Sequence, residues 1–279
     1  MLADGSFGSI ILAQRKPANE AEDFAAVKVF KPRDKNESEN DYENSIYKEF
    51  DFLQNLHHPN IIQPLMLIRY KADQRTGLWT QFMEYAGKKD IQAMIAEGRL
   101  RGGNEVDCAF AQVVSAVSYL HGKGIAHRDL SLANIILQEE TGLVKLLDFG
   151  SALHVNASSL SLGLEIKGNP AYLAPEILDG KPYSPMAADV WALGIMLFGL
   201  LTAHMPWEEA VPGDLNFSGF LKQPMDDTFK DIPETWRSLV RRMVNSDPNQ
   251  RATIREVVAD QRVVSLLKCR VPHIAKPKA

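Results

Sequence analysis

Cysteine is scarce in this sequence: Cys108 and Cys269 are the only two among 279 residues. Neither stands in a metal-ligand spacing, which excludes a cysteine-built zinc site and leaves two structural thiols suited to a reducing compartment. Long apolar runs are missing as well. None reaches the roughly 18 residues that a membrane span needs. Residues 1–20 lack the apolar core of a secretory signal. These absences point to the cytosol or the nucleus. There is no excess of basic charge, since 31 Lys and Arg stand against 35 Asp and Glu for a net charge of −4. That balance argues against a nucleic-acid binder, which is usually basic. Internal repeats are lacking too. What is present is ordinary for a globular protein: 45% apolar and 24% charged residues, on a chain long enough for a large core in about two lobes.

One stretch organises the rest: His127-Arg128-Asp129-Leu130-Ser131-Leu132-Ala133-Asn134. It reads as a loop running into a short apolar strand, Ile135-Ile136-Leu137. A second apolar run, Leu143 to Leu147, delivers Asp148-Phe149-Gly150. Two short strands thereby bring Asp129, Asn134 and Asp148 toward one point. The result is a free carboxylate, an amide oxygen and a second carboxylate. Mg²⁺ takes hard oxygen ligands and shares its shell with phosphate, and phosphoryl transfer needs a positioned acceptor hydroxyl beside metal-neutralised phosphates. The stretch resembles the catalytic loop and metal loop of eukaryotic protein kinases. The resemblance implies Asp129 as the catalytic base, with Asn134 and Asp148 as Mg²⁺ ligands.

Further motifs of that family follow in chain order over about residues 2–260. Leu2-Ala3-Asp4-Gly5-Ser6-Phe7-Gly8-Ser9-Ile10 is similar to the glycine-rich loop over ATP. Ala3 replaces its first glycine, and Met1 and Leu2 are all that stands before it, as in a truncated start. The resemblance makes Leu2, Gly5, Gly8 and Ile10 part of the nucleotide roof. In the strand Ala25 to Phe30, Ala26 would floor the adenine pocket and Lys28 would hold the α- and β-phosphates. Tyr42, Ile46, Phe50, Leu53 and Leu56 fall at helical spacing. Glu49 on that helix, ahead of His58-Pro59-Asn60-Ile61, is the expected partner of Lys28, with Glu43 a surface rival. Trp79 to Met83 reads as a strand ending in the gatekeeper Met83. A hinge follows, where the backbone of Glu84 and Ala86 would meet the adenine edge. Asp90 suits the ribose hydroxyls and equally a helix N-cap. Ile136 would close the pocket from below.

In the second half, Val106, Phe110, Val113, Val117 and Leu120 form a core helix leading into His127, which is expected to brace Phe149. Arg128 would meet a phosphate or an acid on the segment from Asp148 to Glu176. Ser158, Ser159 and Ser161 are candidate sites there for an upstream kinase, with Glu165 a substitute charge. Tyr172-Leu173-Ala174-Pro175-Glu176 has the serine/threonine form of that segment's end. Asp189 opens an apolar helix, and Arg251 should pair with Glu176. Met205 to Glu208 and Phe217 to Leu221 also resemble fungal halotolerance-type kinases. Beside Ala3 and the short start, two further departures bear on activity. Ser131 stands where serine/threonine kinases carry a lysine, a loss of about 2–4 kcal/mol of transition-state stabilisation by analogy with an oxyanion donor. Asn169 stands for a threonine and is able to have changed together with Ser131.

The expectation is an α+β, bilobal kinase fold built as a single domain over 1–279. It has a small β-rich N-lobe of about 1–84, a hinge of about 84–90, a larger helical C-lobe of about 90–260 and a basic tail over 261–279, frayed from Lys268 to Lys278. The implied function is transfer of the γ-phosphoryl group of Mg-ATP to a serine or threonine of a protein substrate. No nucleic acid and no membrane span are expected. The rival is a pseudokinase or scaffold module, favoured by Ser131, Ala3 and the short start.

Overall fold

The computed structural model describes residues 3–5, 8–15, 23–71, 77–100, 102–155, 166, 168–180, 182–222 and 229–271. The chain folds into two lobes. The first is an antiparallel sheet of β1 (Ala3–Gly5), β2 (Gly8–Arg15), β3 (Asp23–Phe30), β4 (Pro64–Lys71) and β5 (Gly77–Glu84), in the order β1-β2-β3-β5-β4. One long helix, α1 (Glu39–Gln54), is packed with it. Ser38 starts α1 by accepting the Asp41 N–H, as a helix N-cap does. The buried Ile46, Phe52 and Leu53 give α1 its inner side.

The second lobe is helical. It contains α2 (Ile91–Ala96), α3 (Gly103–Gly122), α4 (Pro175–Leu178), α5 (Pro185–Thr202), α6 (Leu215–Lys222), α7 (Glu234–Met243), α8 (Ile254–Val258) and α9 (Gln261–Leu266). Two small pairings sit at its top: β6 (Ile125–Ala126) with β9 (Leu153–His154), and β7 (Ile135–Gln138) with β8 (Leu143–Leu146). The α5 helix is 18 residues long with a mean hydropathy of 1.6, so by length and composition it matches a membrane span, against the expectation that no run does so. It is, however, 78% buried inside the fold. Ala188 to Leu200 are enclosed almost all round, as befits the central helix of a large core.

The segment between α1 and β4 belongs physically to the second lobe. The Asn60 side-chain amide donates to Gln112 Oε1 of α3 (2.7 Å) and to the Val144 carbonyl (2.9 Å). Its backbone carbonyl accepts the Leu146 N–H. The His-Pro-Asn stretch thus anchors the end of α1 to the strand that leads to Asp148.

Two expectations are corrected. Cys108 of α3 and Cys269 are not separate thiols but form a disulfide, with Cα atoms 5.3 Å apart. Docking of α9 on α3 brings them together. Residues 261–266 form a helix, and the described part of the basic stretch, 268–271, is held against the fold rather than frayed. Val263 and Val271 are buried, Arg262 pairs with the buried Asp107, and the Val271 N–H donates to the Gly142 carbonyl (3.0 Å). Gly142 permits that approach, because a Cβ there would lie 2.3 Å from the Val271 oxygen. Residues 272–279 lie outside the described residues.

Candidate active site

A cavity of about 270 Å³ opens between the lobes. Its roof is Gly8 and Ile10 of β2 and Ala26 of β3. Its rear holds Lys28 and Glu49, its hinge side Met83, Glu84, Ala86 and Asp90, and its floor Asn134, Ile136 and Asp148. These sequence-predicted residues therefore share one wall system. Leu2 lies outside the described residues. Of Gly5 only the backbone is described, paired in register with Gly8 across β1 and β2. Gly8 is needed where it stands, since a Cβ would come within 2.2 Å of the Val29 carbonyl oxygen.

Lys28 reaches Glu49 from β3 to α1, with its Nζ donating to both carboxylate oxygens at 2.8 Å. Both residues are buried, 7% and 6% exposed. Burial pushes the Glu49 carboxyl up, Lys28 opposes that, and the Asp148 charge adds to it. Glu43, the rival, instead pairs with Arg69 on the surface. Asp90 accepts the Ala93 N–H with Oδ1 (2.7 Å) as the N-cap of α2, which leaves its other oxygen for a ligand.

The catalytic-loop stretch is bound from beneath by Asp189 of α5. Its Oδ2 accepts the His127 N–H and its Oδ1 the Arg128 N–H, both at 2.8 Å, and His121 Nε2 lies 2.9 Å from Oδ2. A carboxylate this buried is tolerable because its lone pairs are met by N–H groups. Arg128 and Asp148 both adopt left-handed backbone, with φ of 68° and 55°. Such conformations cost about 1–3 kcal/mol each for a non-glycine residue and concentrate at functional sites. His127 is fully buried, lies edge-on to Phe149 at 4.9 Å and bonds the Leu147 carbonyl through Nε2 (2.9 Å). It is a brace, as expected.

Asn134 donates its amide N–H to the Asp129 carbonyl (2.8 Å) and to Asp129 Oδ2 (3.1 Å). This turns the Asn134 side-chain oxygen away from Asp129. Asp148 accepts the Gly150 N–H with Oδ1 (3.1 Å) and keeps Oδ2 available. Hard oxygens from Asn134 and Asp148 beside a lysine-held phosphate position fit Mg²⁺, which takes few protein ligands when phosphates supply the rest. Burial raises the Asp129 carboxyl above its ordinary range, with the Asp148 charge adding to it.

Arg128 donates to the Ser151 carbonyl (3.2 Å) and lies 3.5 Å from the Tyr183 hydroxyl. Ser158, Ser159, Ser161 and Glu165 fall outside the described residues. Glu176 and Arg251 form a bidentate buried pair at 2.7 and 2.9 Å. Ser131 is buried at the start of a 3-10 turn over Leu132–Asn134. Among the described residues, Asn169 has no hydrogen bond to Ser131 or Asp129. Its side-chain oxygen accepts the Ala171 N–H (3.1 Å) within its own turn.

Three polar positions at or near the cleft escaped the sequence reading. Lys145 on β8 is buried and bonds Glu84 at the hinge (2.7 Å). It carries the same signal that marked Lys28, a single lysine in an apolar strand. Lys88 stands exposed at the cavity rim. Gln81 is an enclosed amide in the middle of β5.

A two-lobed cleft with a lysine–glutamate pair above and an Asp-Asn-Asp set below has the layout of a nucleotide-dependent phosphotransferase fold. The comparisons with known proteins agree. A family model of the protein kinase domain matches residues 1–262, and the chain belongs to that family. It is 30% identical to the probable serine/threonine-protein kinase RTK1 of Saccharomyces cerevisiae over 299 aligned residues, covering 99% of this chain and 46% of that protein. The nitrogen permease reactivator protein of the same yeast is 35% identical over 222 residues, 78% of this chain and 27% of that protein. Its serine/threonine-protein kinase HAL4/SAT4 is 31% identical over 231 residues, 80% of this chain and 37% of that protein. The chain spans less than half the length of these relatives.

Proposed function

We propose that this cleft transfers the γ-phosphoryl group of Mg-ATP to a serine or threonine hydroxyl of a protein substrate. The observation that carries the reading is the single cavity in which the Lys28–Glu49 pair faces Asn134 and Asp148, with Asp129 hydrogen-bonded to Asn134. Bound Mg-ATP supplies the transferable phosphoryl group and the metal charge that neutralises it. Lys28, fixed by Glu49, holds the α- and β-phosphates. Asn134 and Asp148 hold the metal. Ala26, Met83 and Ile136 enclose the adenine, and the backbone of Glu84 and Ala86 meets its polar edge. The free oxygen of Asp90 faces the ribose. Asp129 orients the acceptor hydroxyl and takes its proton, and its link to Asn134 keeps base and metal ligand in register. The Y-x-A-P-E stretch supports a protein acceptor: Tyr172 Oη accepts the Leu132 N–H (3.3 Å), joining that segment to the catalytic loop. An upstream kinase acting on Ser158, Ser159 or Ser161 would fit the position of Arg128.

A second reading is favoured by one observation. Ser131 puts a buried hydroxyl where the family carries a cation. The chain would then bind Mg-ATP as a scaffold with little transfer. Phosphate transfer from radiolabelled Mg-ATP to a serine/threonine peptide mixture separates the two. The kinase reading expects transfer that Asp129→Asn abolishes. Folded wild-type protein that raises its melting midpoint with Mg-ATP yet transfers nothing would leave the scaffold.

A further inference from the structure

The Lys28–Glu49 pair has a polar neighbour that phosphotransfer, as described, leaves unused. Gln81 lies directly opposite Lys28 across the β3–β5 ladder. Residues so placed project to the same face, with Cβ atoms about 4.5–5.5 Å apart. Lys28 reaches Glu49 of α1 from that face, so Gln81 stands beside the ion pair. It is 0% exposed. Among the described residues, neither its amide oxygen nor its amide nitrogen has a hydrogen-bond partner. Two residues earlier on the same face, the Trp79 indole N–H is likewise buried and unpartnered.

Position sharpens the anomaly. Trp79 packs with Phe30 and Ile46 in the apolar cluster of the first lobe, and Met83 lines the nucleotide cavity. Gln81 comes between them, at the level of the ion pair, where an aliphatic side chain would pack at no polar cost. A buried amide left unpaired is costly, and each such group in a native fold calls for a reason. A niche with two polar side chains and a nearby ion pair offers the two to four partners that an enclosed water requires.

We propose that Gln81 is a positioning residue for the phosphate-binding lysine. Its amide, through one enclosed water shared with the Trp79 N–H, holds the Lys28–Glu49 pair in its closed geometry. Gln81 touches no reacting atom and acts through Lys28. The proposal rests on the phosphotransfer reading above.

The test is a double-mutant cycle. Gln81→Met keeps the length of the side chain and removes the amide. In the otherwise wild-type chain it should lower kcat/KM for Mg-ATP by about tenfold, whereas in a Glu49→Gln background it should change it by less than about twofold, because contacting residues are non-additive. The same cycle read as the Mg-ATP-induced rise in melting midpoint covers a Glu49→Gln chain that transfers too slowly to follow. Gln81→Leu repeats the cycle if the methionine variant fails to fold. An unchanged kcat/KM and midpoint rise in Gln81→Met, or equal losses in both backgrounds, would overturn the proposal and leave Gln81 a packing residue. Wild-type transfer that Asp129→Asn abolishes is the control: its absence defeats the phosphotransfer reading, while active wild type with an additive cycle defeats the role of Gln81 alone.

Discussion

Lys145 Nζ donates to Glu84 Oε1 at 2.7 Å, which ties strand β8 of the helical lobe to the last residue of β5. Glu84 also accepts the Gln63 N–H through the same oxygen (2.9 Å). The lysine side chain is 7% exposed and the glutamate 26%. The two ends of this tie are therefore unequal.

That inequality has a measurable outcome. Glu84→Ala strands a buried ammonium and should cost about 2–4 kcal/mol, toward the lower part of the range for breaking a buried pair. Lys145→Met leaves a partly exposed carboxylate that keeps its Gln63 bond, and should cost less than about 2 kcal/mol. Urea denaturation of the two variants checks the order. Equal losses would mean that solvent already screens Lys145.

Glu176 and Arg251 make a stricter version of the same argument, since both are buried and doubly bonded. Glu176→Ala should destabilise by about 3–5 kcal/mol, the range for an uncompensated buried charge. Glu176→Gln, which keeps one acceptor, should lose less. The check is the shift in denaturation midpoint with unchanged slope.

Ser131 allows a gain of function. Ser131→Lys should raise kcat for peptide phosphorylation by about 10- to 100-fold if the missing cation limits the rate, below the full effect of one lost electrostatic donor. A lower kcat would mean that the buried serine belongs to an arrangement a lysine disrupts. Steady-state kinetics beside Asp129→Asn decides between them.

His58 gives the fold a pH dependence. Its Nδ1 accepts the Asn60 N–H (3.1 Å), and Nε2 lies 3.3 Å from the Ser115 hydroxyl, a pattern that needs neutral imidazole. Burial, and after it the Lys145 charge, lowers its pKa from 6.5. The unfolded chain therefore binds the proton more readily than the folded one. Stability is fully present above the unfolded value of 6.5, falls as pH drops through it and levels off below the lowered folded value. Stability should be lower at pH 5 than at pH 7.5, and His58→Asn should flatten the difference. Urea midpoints at pH 7.5 and pH 5 make the comparison.

The reach of sequence reasoning can be seen in pairs of residues. Lys28 with Glu49, and Glu176 with Arg251, were legible because each partner sits in its own recognisable motif. The strands behind Asn134 and Asp148 were legible from short apolar runs. Lys145 was not, although it breaks an apolar strand as Lys28 does, because its partner is fixed by how β8 lies under the hinge. The junction of Cys108 with Cys269 and the burial of Val263 and Val271 depend on α9 docking against α3, and nothing local in the final residues announces that contact. Asn169 was read as a companion of Ser131 from chemistry alone. Only the backbone of its turn shows that its oxygen is already committed to Ala171.

The seat of Val271 over Gly142 has a practical side. Gly142 is the turn between β7 and β8, and those two strands begin just after Asn134 and end just before Asp148. Val271 thus rests on the far end of the lever whose near end carries Asn134 and Asp148. A shortened chain that stops at Leu267 would keep every motif of the cleft and still let that lever loosen. Such a chain should therefore melt lower than one that continues through Val271, although the family match ends at residue 262.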